Sequence, residues 1–64
     1  MAVEVVRGHY AGGAEMIEKY EAGLNFEVVE GHLVVLGAVP EGRRSAQKLA
    51  AFAPGSWKFG RVTD

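Results

Sequence analysis

The clearest pattern of apolar and polar positions lies between Asn25 and Val39. Two short runs, Phe26-Glu27-Val28-Val29 and Leu33-Val34-Val35-Leu36, flank Glu30-Gly31-His32 and predict a β-hairpin. A two-residue turn at Glu30-Gly31 sets Val28 opposite Leu33 and Phe26 opposite Val35 on one side. The other side then carries Glu27, Val29, His32, Val34 and Leu36. The first face is wholly apolar and the second more than half so, whereas a hairpin with one face in water alternates apolar and polar. A second covering layer is therefore expected, from elsewhere in the chain or from another molecule.

Upstream, the β-branched stretch Ala2-Val3-Glu4-Val5-Val6-Arg7 predicts a strand, with Val3 and Val5 on one face and Val6 on the other. Gly8, Gly12 and Gly13 are expected to break it. Ala14 to Ala22 follows helical spacing. At 100° per residue, Met16, Ile17, Tyr20 and Leu24 form one stripe, while Glu15, Glu18, Lys19 and Ala22 face away. Glu15 precedes Lys19 by four residues, the orientation that favours an ion pair on a helix. Gly23 stands where a helix C-terminus prefers glycine. The expected element is a short helix over 13–22 whose stripe docks on one face of the hairpin.

Downstream, Pro40-Glu41-Gly42-Arg43-Arg44 is a polar loop. Residues 45–53 admit two readings. Ser45 as a cap and good helix formers, with Ala46, Leu49, Ala50 and Ala53 on one stripe, fit a second helix ended by Pro54. A strand leading into Ala53-Pro54-Gly55-Ser56 fits equally, because Pro followed by Gly suits a type II turn. Trp57-Lys58-Phe59-Gly60-Arg61-Val62 alternates and closes the chain as a strand. The fold class that emerges is α+β: a small antiparallel sheet of four to five strands with one short helix over 13–22, and residues 45–53 as strand or second helix.

Composition narrows the possibilities. At 64 residues, 48% hydrophobic and without cysteine, the chain is a single domain, 1–64, with no disulfide to supplement its core. A domain this small buries only about 60% of the surface its unfolded chain exposes, so self-association is an expected supplement and a homo-oligomer the expected state. The longest apolar run, Leu33 to Leu36, extends only through small residues to Val39, short of the ~20 residues of a membrane span. Met1–Arg7 has no basic region leading into a hydrophobic stretch, which predicts no secretory signal and a cytoplasmic location. The net charge of −1 conceals a division. Residues 1–39 carry six carboxylates against two cations, and residues 40–64 carry five cations against two carboxylates. Such asymmetry marks a polar interaction surface or, more simply, solvated faces.

Candidate chemistry is sparse. Arg7 to Ala14 is glycine-rich, yet Ala14 and Glu15 follow where a phosphate loop needs Lys then Ser or Thr. His9 and His32 have no companion ligand or triad partner nearby in sequence, and Ser45, Ser56 and Thr63 lie outside any nucleophile-elbow context. Glu15, Glu18, Glu21, Glu27 and Glu30 belong to different faces and so do not form a cation site. No enzyme activity, metal or cofactor is expected. Trp57 and Phe59, alternating with Lys58 and followed by Arg61, could stack on single-stranded nucleic acid with Arg43 and Arg44 adding charge. They could also anchor a protein partner or simply fill the core.

Two resemblances follow from longer motifs. Gly31-His32-Leu33-Val34-Val35-Leu36-Gly37-Ala38-Val39, then Arg44, Ala46, Leu49 and Ala53-Pro54-Gly55, resembles the second half of a BON domain. That resemblance implies a helix before the last strand and an association with lipid surfaces of the bacterial envelope. Leu49-Ala50-Ala51-Phe52-Ala53-Pro54-Gly55-Ser56-Trp57, an alternating strand and a terminal acid resemble small accessory proteins of bacteriophages that infect actinobacteria. This second resemblance implies strand at 47–53, the host cytoplasm as location, and a host or phage protein as partner.

The function expected from these readings is a non-enzymatic interaction protein of phage type that self-associates and binds another protein. Its candidate interaction residues are Val29, Val34, Leu36, Arg43, Arg44, Trp57, Lys58, Phe59 and Arg61. Alternatives are a single-stranded nucleic-acid-binding module using the C-terminal aromatics and cations, or a small structural component of a virion.

Overall fold

A computed structural model describes all residues from Met1 to Asp64. The chain forms six strands and no helix: β1 (Ala2–His9), β2 (Glu15–Tyr20), β3 (Asn25–Val29), β4 (His32–Leu36), β5 (Lys48–Phe52) and β6 (Phe59–Thr63). They make two antiparallel three-stranded sheets, ordered β2-β1-β6 and β3-β4-β5. The expected α+β class is therefore replaced by an all-β architecture with six strands rather than four to five.

The expected helix over 13–22 is β2. Its residues pair with β1 from Val3 opposite Tyr20 to His9 opposite Glu15. Two or three isolated helical turns are marginal in water, whereas an extended Glu15–Tyr20 satisfies the open edge of the valine-rich β1. The supposed stripe splits, because Ile17 lies opposite Val6 and Tyr20 opposite Val3, on different faces of the sheet. The intrahelical pairing of Glu15 with Lys19 is likewise replaced. Glu15 bonds Arg61 at 2.9 Å, and Lys19 reaches Glu21 at 3.6 Å. Gly8 does not end β1. It sits beside an irregularity in the β1–β2 register after Val6, a β-bulge that lets the strand run on to His9.

The β3–β4 hairpin has the register its turn requires, with Val28 opposite Leu33 and Phe26 opposite Val35. Glu30 and Gly31 have φ of 51° and 81°, the two left-handed residues of a type I′ turn. Of the two readings of 45–53, strand is the one adopted: Phe52 pairs with Leu33, Ala50 with Val35 and Lys48 with Leu36. The Ala53–Ser56 turn also forms, closed by Ser56 N–H donating to Ala53 O at 3.1 Å with Gly55 at φ 84°.

The two sheets face each other through a thin core. Val3 and Val5 of β1 meet Leu33 and Val35 of β4, all fully buried, with Tyr20, Phe26, Leu49, Phe52 and Trp57 packed around them. Phe52 closes one side. Its ring meets Tyr20 edge-on at 6.3 Å, and the Arg7 guanidinium lies 5.9 Å from its centroid. Burial pushes the Tyr20 hydroxyl pKa up, the Glu18 charge adds to this, and Arg7 opposes it. The radius of gyration, 12.4 Å, exceeds the about 11 Å expected of a compact 64-residue domain. The thin, elongated shape, 46 by 27 by 11 Å, leaves much apolar side-chain surface in water.

Trp57 belongs to this framework. Its Nε1–H donates to Gly31 O at 3.1 Å, tying the β5–β6 connection to the tip of the β3–β4 hairpin. Trp57→Phe removes that bond while keeping most of the ring contact. A net loss of about 1 kcal/mol is expected, lowering the Tm by roughly 5 °C for a domain this small. Thermal unfolding followed by circular dichroism checks it; an unchanged Tm would show that the indole bond contributes nothing.

Candidate functional site

The two sheets turn their other faces outward, and these differ in character. On the β2-β1-β6 face, Val6 lies between Ile17 and Phe59 in register. Arg61 Nε donates to Glu4 at 2.7 Å, and its Nη2 donates to Glu15 at 2.9 Å. The second bond crosses from β6 to β2 over β1, and Val6 beneath it has no exposure at all. Those hydrogen bonds, to Glu15 first and Glu4 second, raise the Arg61 pKa further above its already high ordinary value. This is a side-chain strap that seals an outward valine.

On the β3-β4-β5 face the centre remains open. Asn25, Glu27 and Val29 of β3 lie across from Leu36, Val34 and His32 of β4, and Lys48 and Ala51 of β5 lie across from Leu36 and Val34. Val34 and Leu36 are half-buried, Ala51 is exposed and Val29 is 49% exposed. An apolar centre thus runs between a carboxylate on the β3 edge, Glu27, and an ammonium on the β5 edge, Lys48.

The structure distributes the candidate residues over five places. Val29, Val34 and Leu36 share the open face just described. Phe59, 40% exposed, and Arg61 belong to the opposite outward face, with the Arg61 guanidinium 5.8 Å from the Phe59 centroid. Arg43 and Arg44 sit on the β4–β5 loop, and Lys58, whose N–H donates to Val6 O at 2.7 Å, lies just before β6. Trp57 packs on the core. The aromatic and basic residues of the C-terminal segment therefore do not converge on one surface: Trp57 is a structural anchor and Arg61 is held by two carboxylates.

Sequence reasoning missed Lys48 on the border of the open face, and Glu4 and Glu15 as partners of Arg61. The hairpin register alone placed Glu27 on the face of Val29, but Lys48 required the β4–β5 pairing. No three His, Cys, Asp or Glu side chains converge on a point that could hold a metal ion, and no helix is long and apolar enough to cross a membrane. No protein-family model, curated protein or solved structure matches the chain.

Proposed function

We propose that this chain is a non-enzymatic interaction protein of the small phage-accessory type, which self-associates through the outward face of its β3-β4-β5 sheet. The observation that carries this reading is the layout of that face: Val29, Val34, Leu36 and Ala51 between Glu27 on one edge and Lys48 on the other. Turning a second copy about a two-fold axis parallel to β4 lays its β3 over the first copy's β5. Glu27 of each molecule then lies over Ala51 of the other, two register positions along β4 from Lys48 and diagonal to it. Opposite charges thus share an edge, and the apolar centres meet. A two-fold axis across the strands would instead set β3 on β3 and like charge on like. The favoured arrangement is an isologous, aligned packing of two sheets.

The face is small, three short strands or roughly 14 by 17 Å from standard strand spacings. That is far below the ~800 Å² per partner of a stable complex, so the dimer is expected to be concentration-dependent, with micromolar or weaker affinity. A further protein partner would use the same apolar centre, in the same way, in competition with the second copy.

Sedimentation equilibrium tests the assignment. The wild type is expected to move from monomer to dimer between tens and hundreds of micromolar, and Glu27→Lys to shift this towards monomer. The double exchange Glu27→Lys with Lys48→Glu is expected to restore dimerisation, which no loss of folding could mimic. A strict monomer throughout the range, or a double variant that stays monomeric, would overturn it.

A further inference from the structure

Four ion pairs account for Arg7, Lys19 and Arg61, whose partners are Glu18, Glu21, and Glu4 with Glu15. Arg43, Arg44 and Lys48 have no carboxylate within ion-pairing distance, although Glu41 is only two residues from Arg43. All three line a single open cleft of about 620 Å³ formed by the β4–β5 loop, together with Ser45 and Gln47. We propose that this cleft binds a small phosphorylated anion, a phosphomonoester or diphosphate group.

Several features of the loop favour that ligand. Its stem is closed by Gly37 N–H donating to Gln47 O at 2.7 Å and Gln47 N–H donating to Ala38 O at 3.0 Å. Its tip is a turn, with Arg43 N–H donating to Pro40 O at 3.0 Å. The cations are therefore carried on a folded loop rather than on a free tail, which lowers the ordering cost of engaging a ligand. Two guanidinium forks offer paired N–H groups that match phosphate oxygens, and an ammonium adds a point charge. The Ser45 hydroxyl and Gln47 amide supply neutral donors. Only one of the seven lining residues is hydrophobic and none is aromatic. The cleft consequently offers charge and hydrogen bonds but no surface on which a nucleobase could stack. Arg43 and Arg44 lie outside the self-association face, so this site stands apart from that reading even though Lys48 borders both.

Inorganic pyrophosphate is the probe, titrated into ¹⁵N-labelled protein at low salt. Saturable shifts confined to the amides of residues 43–48 are expected, with a millimolar dissociation constant that weakens as salt is raised. The double variant Arg43→Ala/Arg44→Ala, both exposed, is expected to bind at least about tenfold more weakly with the rest of its spectrum unchanged. Lys58→Ala removes an equally unpaired cation outside the cleft and is expected to leave binding intact. Three results would each overturn the proposal. One is the absence of a saturable shift, and another is equal weakening by Lys58→Ala, which would mean diffuse attraction to net charge. The third is a single-stranded oligonucleotide that binds these amides far more tightly than pyrophosphate, which would make the site one for a nucleic-acid backbone.

Discussion

Gly23→Ala is expected to destabilise this protein by about 3 kcal/mol, at the upper end of the usual cost of overpacking, although Gly23 is not in a left-handed conformation. A Cβ at this position would stand 2.9 Å from both Cβ and Cγ2 of Val3 and 3.0 Å from Tyr20 O. Neither neighbour is free to yield. Val3 is fully buried in the four-residue core, and Tyr20 O already accepts the Gly23 N–H at 3.0 Å in the turn that carries the chain from one sheet to the other. Relief would need the β2–β3 corner to move, and with it the spacing of the two sheets. Natural domains hold about 0.05–0.15 kcal/mol per residue, so a 64-residue chain has little reserve. Urea unfolding followed by Trp57 fluorescence should show a midpoint lowered by about half. Gly12→Ala is the comparison, since nothing lies within 4 Å of its added methyl, and its effect should be slight. Equal midpoints for the two variants would mean that the corner accommodates a side chain.

Leu33→Ala should cost about 3 kcal/mol, within the usual span for truncating a buried leucine. Leu33 is fully buried between the sheets and lies opposite both Val28 and Phe52. Val28 shares its face of the sheet but is 53% exposed. Val28→Ala should therefore cost well under 1 kcal/mol, as about half of its surface is already in water. The pair separates depth in the core from membership of the apolar face. Denaturant midpoints at constant m-value measure both; a Val28 effect as large as that of Leu33 would mean that β3 is more deeply covered than its exposure indicates.

The hairpin of β3 and β4 was legible down to its register, because a two-residue turn at Glu30-Gly31 leaves only one pairing that puts Phe26 and Val28 with Val35 and Leu33. The first strand and the Ala53–Ser56 turn were legible for similarly local reasons, namely β-branched residues in one and a Pro-Gly pair in the other. Glu15–Tyr20 was not. Its residues satisfy helical spacing as well as they satisfy a strand, and what decides between them is the unpaired edge of β1. Nothing in the segment itself records that edge. Residues 45–53 were balanced for the same reason, until pairing with β4 supplied the partner.

The candidate site divides along the same line. Val29, Val34 and Leu36 were placed together by alternation and the two-residue turn at Glu30-Gly31, since every second side chain of a strand shares a face and the turn sets which faces match. Trp57, Phe59 and Arg61 looked like one aromatic and basic surface because they are neighbours in the chain. The tertiary structure kept Phe59 and Arg61 together and took Trp57 away from them. Trp57 turns its indole to Gly31, and Arg61, beside the Phe59 ring, is strapped between Glu4 and Glu15 across the opposite sheet. Charge behaves likewise. The acidic first part and basic last part of the chain cancel partly at Arg61, leaving Arg43, Arg44 and Lys48 without partners in one cleft. Local stereochemistry, turns and the two-residue period of strands, is written in the order of the residues. Which edges are filled and which charges meet depends on strands brought together from opposite ends of the chain, so only the fold decides it.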